Sequence, residues 1–265
     1  MDTVQIPLKH THERISATFG KQAGVYNKYA LVQRFAAKRL YEQLPEKDQS
    51  NVDILEIGCG TGFVTELLAE KYPQSNITIS DISSEMLEVC KENIEEVQSN
   101  ISNISFLKLN IEKDIIPGKY DLIVSGLTAQ WFDDFDGTIK RVMKALKPDG
   151  QFLFSFLTDD SFPEWKEICV NSNVLCTANK LPEKESASHF DFASVVHYEP
   201  FSLELRFSKS IDFFKSLKAI GASTQKDALR LNVLDFRKLT RNWDKRERSS
   251  ISVTYKGLIL TFQNG

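Results

Sequence analysis

From residue 52 onward the apolar positions follow two different periods in turn. VDILEI, NITIS, ISFLKL, YDLIVSG and GQFLFSFL are short runs rich in Ile, Leu, Val and Phe, which predict strands. TGFVTELLAEKY, SSEMLEVCKENIEEV and DGTIKRVMKAL instead repeat their apolar residues at helical spacing, the second behind a Ser cap, and the turn KPDG precedes the fifth strand. Strands and helices in this alternation predict a parallel sheet covered by helices on both faces. Two helical stretches precede it. The second, residues 26–43, puts Tyr29, Val32, Phe35, Ala36 and Leu40 on one face.

After residue 157 the alternation stops. A helical stretch over residues 162–175 leads into polar NKLPEKESASH, then strand-like VVHYEPFSLELRF and two helices in SIDFFKSLKAIG and LDFRKLTRNW. The final SISVTYKGLILTFQ suits a strand added antiparallel to the sheet. The expectation is one α/β domain over residues 1–265 with a partly helical cap. Within it, residues 1–48 form an N-terminal cap segment and 52–157 the ligand-binding core. Residues 158–249 form a lid and partner segment with one sheet strand, and 250–265 the closing strand.

Composition narrows the function. Apolar residues at 42% and charged residues at 26%, with a formal net charge of -3, describe a globular chain with no overall attraction to nucleic acid or an anionic membrane. No run reaches the roughly 18 apolar residues of a membrane span, and MDTVQIPLKHTHERI lacks the apolar centre of a secretion signal, so a cytoplasmic location is expected. Cys59, Cys90, Cys169 and Cys176 show no CxxC spacing and read as reduced thiols. With His10, His12, His189 and His197 they make no ligand pattern, and no metal is expected.

The chemistry concentrates in LEIGCGTG, between the first strand and its helix. A glycine loop there brings backbone N–H groups close to a ligand at the carboxyl edge of the sheet. Gly58, Gly60 and Gly62 read GxGxG, whereas a dinucleotide fingerprint reads GxGxxG, and the Lys-Ser/Thr of a phosphate-binding loop is missing. Asp81 ends the second strand, where a carboxylate can accept from both ribose hydroxyls of an adenosine. Glu56 in the first strand, Asn110 after the third and Ser125 after the fourth stand on the same edge and outline one cleft.

Together Glu56-x-Gly58-x-Gly60-x-Gly62, Asp81 and Tyr120-Asp121-Leu122-Ile123 resemble the S-adenosylmethionine-dependent methyltransferases of the seven-stranded, Rossmann-like class, over about residues 52–157. The resemblance implies a mostly parallel seven-stranded sheet with an antiparallel last strand. It also implies a glycine loop facing the methionine end of the cofactor, Asp81 on the ribose, and Ile82 and Met86 flanking adenine. Asn110 stands where such enzymes often carry Asp, and can still accept through its amide oxygen. Ile111 and Tyr26 complete the implied cofactor set.

Outside that core FGKQAGVYNKYALVQR, SGLTAQWF, SLKAIGAS and TYKGLIL resemble the malonyl-acyl-carrier-protein O-methyltransferases of biotin synthesis, nearly end to end. The implied reaction is methylation of the free carboxylate of a malonyl thioester; another carboxyl methyltransferase of this fold, acting on a free acid, is the alternative. A carboxylate of pKa ~3–4 is already ionised at neutral pH, so no general base is required. Tyr26, Gln130 and Trp131 are the candidate walls of the acceptor pocket, with Lys218 or Arg34 for the malonyl oxygens. The basic stretch RKLTRNWDKRER, residues 237–248, is the candidate docking surface for an acidic acyl carrier protein.

Overall fold

The structure, a computed structural model, describes residues 29–46, 51–98, 101–184, 194–222 and 231–265. The first expected helix and residues 26–28 of the second lie outside them. Helix α1 (Leu31–Gln43) buries Val32, Ala36 and Leu40 of the anticipated face together with Ala37, while Tyr29, ahead of the helix, and Phe35 are half-buried. Strands β1 (Asp53–Ile57), β2 (Asn76–Asp81), β3 (Ile104–Lys108) and β4 (Tyr120–Gly126) follow, with helices α2 (Phe63–Lys71) after β1 and α3 (Ser84–Val97) after β2. Helix α4 (Phe135–Met143) leads into β5 (Leu146–Leu157). That strand takes in the expected KPDG turn, where its register with β4 shifts between Tyr120 and Leu122. The cap elements are α5 (Pro163–Asn171), α6 (Ser210–Ala219) and α7 (Val233–Arg246), and the sheet is completed by β6 (Ser194–Phe207) and β7 (Ile251–Gln263).

The sheet order is β3-β2-β1-β4-β5-β7-β6. Pairings among β1 to β5 are parallel, and β7 runs antiparallel to both β5 and β6. The last strand of the chain therefore inserts between two earlier ones and leaves β6 as the edge. On α1, Arg39 pairs with Glu199 of β6, tying the N-terminal helix to that edge.

Alternate residues of the central strands feed two cores, as the period of a strand requires. Ile54, Leu153 and Ile259 face α1, α2 and the cap, whereas Leu55, Phe152, Phe154, Phe156 and Leu260 face α4. All eight are fully buried, each worth about 1.5–3 kcal/mol against exposure. Among the described residues no helix is long and apolar enough to cross a membrane. The four cysteines carry free thiols.

Candidate active site

Two strand ends and one carboxylate shape the glycine loop. Ser80 O of β2 accepts from the N–H groups of Gly58 (2.8 Å) and Cys59 (3.0 Å), which turns the chain sharply off β1. Gly58 and Gly60 have φ of 71° and 54°, the left-handed region that favours glycine. At Gly58 a Cβ would also lie 2.2 Å from Thr128 Oγ1, so the loop after β4 can close onto this one only over a glycine. Asp81 then holds the loop from the second strand. Its Oδ2 accepts from Gly60 N–H (3.0 Å) and its Oδ1 from Ser83 N–H (2.8 Å). Burial raises its pKa, opposed by the N–H groups of Ser83, Gly60 and Ile82.

Beneath the loop lies Glu56, 1% exposed, which accepts from Thr65 Oγ1 at 2.6 Å. Burial pushes its carboxyl up to about 8, the Thr65 bond opposing the shift and the nearby Asp81 adding to it. Ser125 is likewise internal: it lies within β4 rather than after it, and its hydroxyl donates across to Ile57 O of β1 (3.0 Å). Helix α3 starts where Ser83 Oγ accepts from Met86 N–H (3.3 Å), which seats Met86 against the site.

A cavity of about 410 Å³ opens over this edge. Gly58, Gly60, Asp81, Met86, Asn110 and Ile111, at the ends of β1, β2 and β3, form one set of walls. The cap, with Tyr255 of β7, supplies another: Phe162, Trp165, Phe214, Leu217 and Phe236. Gln33 from α1 and Thr128, Gln130 and Trp131 from the loop after β4 also line it. Gln33 Oε1 is buried with no hydrogen-bond partner among the described residues. Among the described residues Asp81, Glu112 and Lys218 are the charged ones on the wall, and no described histidine lines it. Two wall residues, Leu127 and Phe162, hold positive φ (51° and 60°) without being glycine, the kind of backbone strain that collects at functional sites.

Residues 48–209 match the family model described as a methyltransferase domain. A malonyl-[acyl-carrier protein] O-methyltransferase of Priestia megaterium is 32% identical over 261 residues, covering 91% of this chain and 93% of that protein. The chain belongs to the malonyl-[acyl-carrier protein] O-methyltransferase family. Another relative of that name, from Acetivibrio thermocellus, is 29% identical over 92% of this chain and 90% of its own length. In fold, the YcgJ protein of Bacillus subtilis superposes with a TM-score of 0.60 at 16% identity, over 87% of this chain and 98% of that one.

In this member of the family most residues singled out in the sequence meet at one cavity. Gly58, Gly60, Asp81, Ile82, Met86, Asn110 and Ile111 line it, as do Gln130, Trp131 and Lys218. Glu56, Gly62 and Ser125 stand off its wall, holding the loop and strand from behind. Gly62, with φ 104°, precedes α2 as its N-cap. Arg34 is also off the wall: it is exposed, and its guanidinium lies 4.3 Å over the Phe63 ring. Asn110 Oδ1, the atom expected to accept from an adenine amino group, takes the Glu112 N–H at 3.1 Å. Tyr26 lies outside the described residues. Gln33, Thr128 and Tyr255 fall inside the stretches that carried the resemblance but were not picked out as site residues, whereas Phe162, Trp165, Phe214 and Phe236 fall outside them and nothing in their spacing singled them out.

Proposed function

We propose that the chain transfers the methyl group of S-adenosylmethionine to the free carboxylate of a malonyl thioester on acyl carrier protein, releasing S-adenosylhomocysteine and a malonyl methyl ester that primes pimeloyl and biotin synthesis in the cytoplasm. The observation that carries this reading is the extent of the similarity. It runs over nine-tenths of both chains, through the cap that lines the cavity and not only through the nucleotide-binding edge.

The residues present fit the cofactor. A half-buried carboxylate at Asp81 and a glycine loop without a phosphate-binding lysine suit an adenosine that carries no phosphate. Asp81 accepts from the ribose hydroxyls, Ile82 and Met86 flank adenine, and Asn110 and Ile111 border its edge. The glycine loop meets the methionine end. S-adenosylmethionine supplies a methyl group that is already electrophilic, so the protein's task is positioning and exclusion of water. The malonyl carboxylate, ionised at neutral pH with a pKa of ~3–4, gives up no proton on methylation, so the transfer needs no general base. Trp131 borders the acceptor, and Lys218, exposed at the end of α6, attracts its charge.

The carrier protein docks on α7. Phe236 of that helix lines the cavity, while Leu234, Arg237, Lys238, Arg241 and Lys245 stand exposed on another face. These four cations form no ion pair with a described residue, whereas Arg246 is engaged by Glu167. Methyl transfer to malonyl-carrier protein, malonyl-CoA and free dicarboxylic acids, measured side by side, tests the reading. Ester should appear on the malonyl thioesters and restore growth without biotin to a strain lacking this step; methylation of free acids alone would overturn it.

A further inference from the structure

We propose that Gln130 orients the acceptor carboxylate, as a neutral donor placed where a charged one would slow the reaction. This rests on the malonyl carboxylate being the acceptor.

The placement begins with the sheet. Strand β4 stops at Gly126, paired with Ser155, while β5 runs on to Leu157. The Leu157 N–H, past the last β4 partner, donates to Gln130 Oε1 at 3.3 Å. An N–H can only donate, so the amide oxygen must face Leu157, and the NH₂ group with its two donors must take the other end of the carboxamide. Both Gln130 and Leu157 line the cavity.

The loop that carries Gln130 is tied at both sides. Leu127 N–H donates to Ser155 O (3.0 Å) and Ser155 Oγ (3.1 Å), holding the left-handed turn that leaves β4. Thr128 Oγ1 reaches Gly58 O at 3.3 Å, and Trp131 N–H closes a tight turn onto Thr128 O at 2.9 Å. The carboxamide is thus referenced both to the glycine loop and to β5, the two elements whose spacing sets where an acceptor meets the cofactor.

Chemistry selects a neutral group for this position. One carboxylate oxygen must keep its lone pair free to attack, and a donor on the other oxygen fixes the angle of approach. An ammonium or guanidinium there would lower the nucleophilicity of both oxygens. The one cation on the wall among the described residues is Lys218, which is exposed at the rim. Attraction and orientation are therefore divided between Lys218 and Gln130.

The test compares Gln130→Ala, Gln130→Glu and Lys218→Ala with malonyl-carrier protein as acceptor. Gln130→Ala should lower kcat about 10–100-fold, the range of one hydrogen bond to a charged group. Its affinity for S-adenosylhomocysteine and its melting temperature should stay near wild type, which separates orientation from folding. Lys218→Ala should mainly raise KM. Gln130→Glu should be poorest at about pH 8, where the introduced carboxylate repels the acceptor. Relative to wild type it should recover progressively as the pH falls toward 5, because a carboxyl in the cavity beside the acceptor's own carboxylate takes up its proton above the usual ~4.3 and the protonated fraction is again a neutral donor. The other titratable wall residues, Asp81, Glu112, Lys218 and Tyr255, are shared by both proteins and cancel in that ratio. A Gln130→Ala kcat within about threefold of wild type, or a Gln130→Glu defect independent of pH, overturns the proposal while leaving the methyltransferase reading intact. A wild-type protein that methylates no malonyl thioester overturns both.

Discussion

Glu56 shows how a residue can belong to a motif and still lie off the wall of the cavity. Its carboxyl lies 1% exposed beneath the glycine loop and accepts from Thr65, and burial pushes its pKa from 4.5 up to about 8. Between those two values the folded chain holds a proton that the unfolded chain has released, so stability falls as the pH rises through this window and levels off above it. Glu56→Gln removes the penalty and keeps an acceptor for Thr65. Its urea midpoint should match wild type near pH 5 and exceed it near pH 8.5, by a stability difference of about 2–4 kcal/mol. Parallel pH profiles for the two proteins would show that Glu56 is ionised in the folded state like any exposed carboxyl. The local pattern around Glu56 was legible as a motif; its depth was not, because burial depends on the elements stacked above it.

At the scale of elements, β7 decides more than its alternating sequence suggests. It lies between β5 and β6, pairing Gly257 with Leu157 on one side and Phe201 on the other. A Cβ at Gly257 would fall 2.4 Å from Phe156 O and 2.4 Å from the Phe201 ring, so the three strands can approach only because the side chain is missing. Gly257→Ala should destabilise the protein by about 2–4 kcal/mol, read as a lowered melting temperature. An unchanged melting temperature would mean that the strands separate there at little cost. The partner of Gly257, Leu157, is also the residue that orients Gln130, so a strain at β7 should reach the acceptor wall. Strand character was readable locally in β1 and β4, whose apolar runs are buried on both faces, and in β2, where Ile77 and Ile79 are buried on one face. Insertion of β7 ahead of β6 was not, since strand order depends on crossovers and not on period.

Over the whole molecule the net charge of -3 conceals an uneven distribution. Helix α7 buries Leu239 and Trp243, lines the cavity with Phe236, and exposes Arg237, Lys238, Arg241 and Lys245 without ion pairs to described residues. Reversing Arg237, Lys238 and Arg241 to Glu should raise KM for malonyl-carrier protein about tenfold or more at low salt and leave kcat for malonyl-pantetheine unchanged. The wild-type KM for the carrier should rise with ionic strength. Equal effects on both substrates would place the damage in the pocket and remove docking from α7.

The sequence by itself determined the parallel α/β core, the glycine loop and the Asp81 end of the site, because strand period, GxGxG spacing and a carboxylate at a strand end are local features read within about thirty residues. Tertiary structure alone decided which groups face the cavity. Glu56, Gly62 and Ser125 turn inward, Arg34 lies over Phe63, and the far side of the cavity is assembled from α1, the loop after β4, α5, α6, α7 and β7, elements more than two hundred residues apart at the extremes. No local period encodes that assembly, since each of those elements satisfies its own pattern with its buried face, and only packing settles which remaining edge borders the cavity.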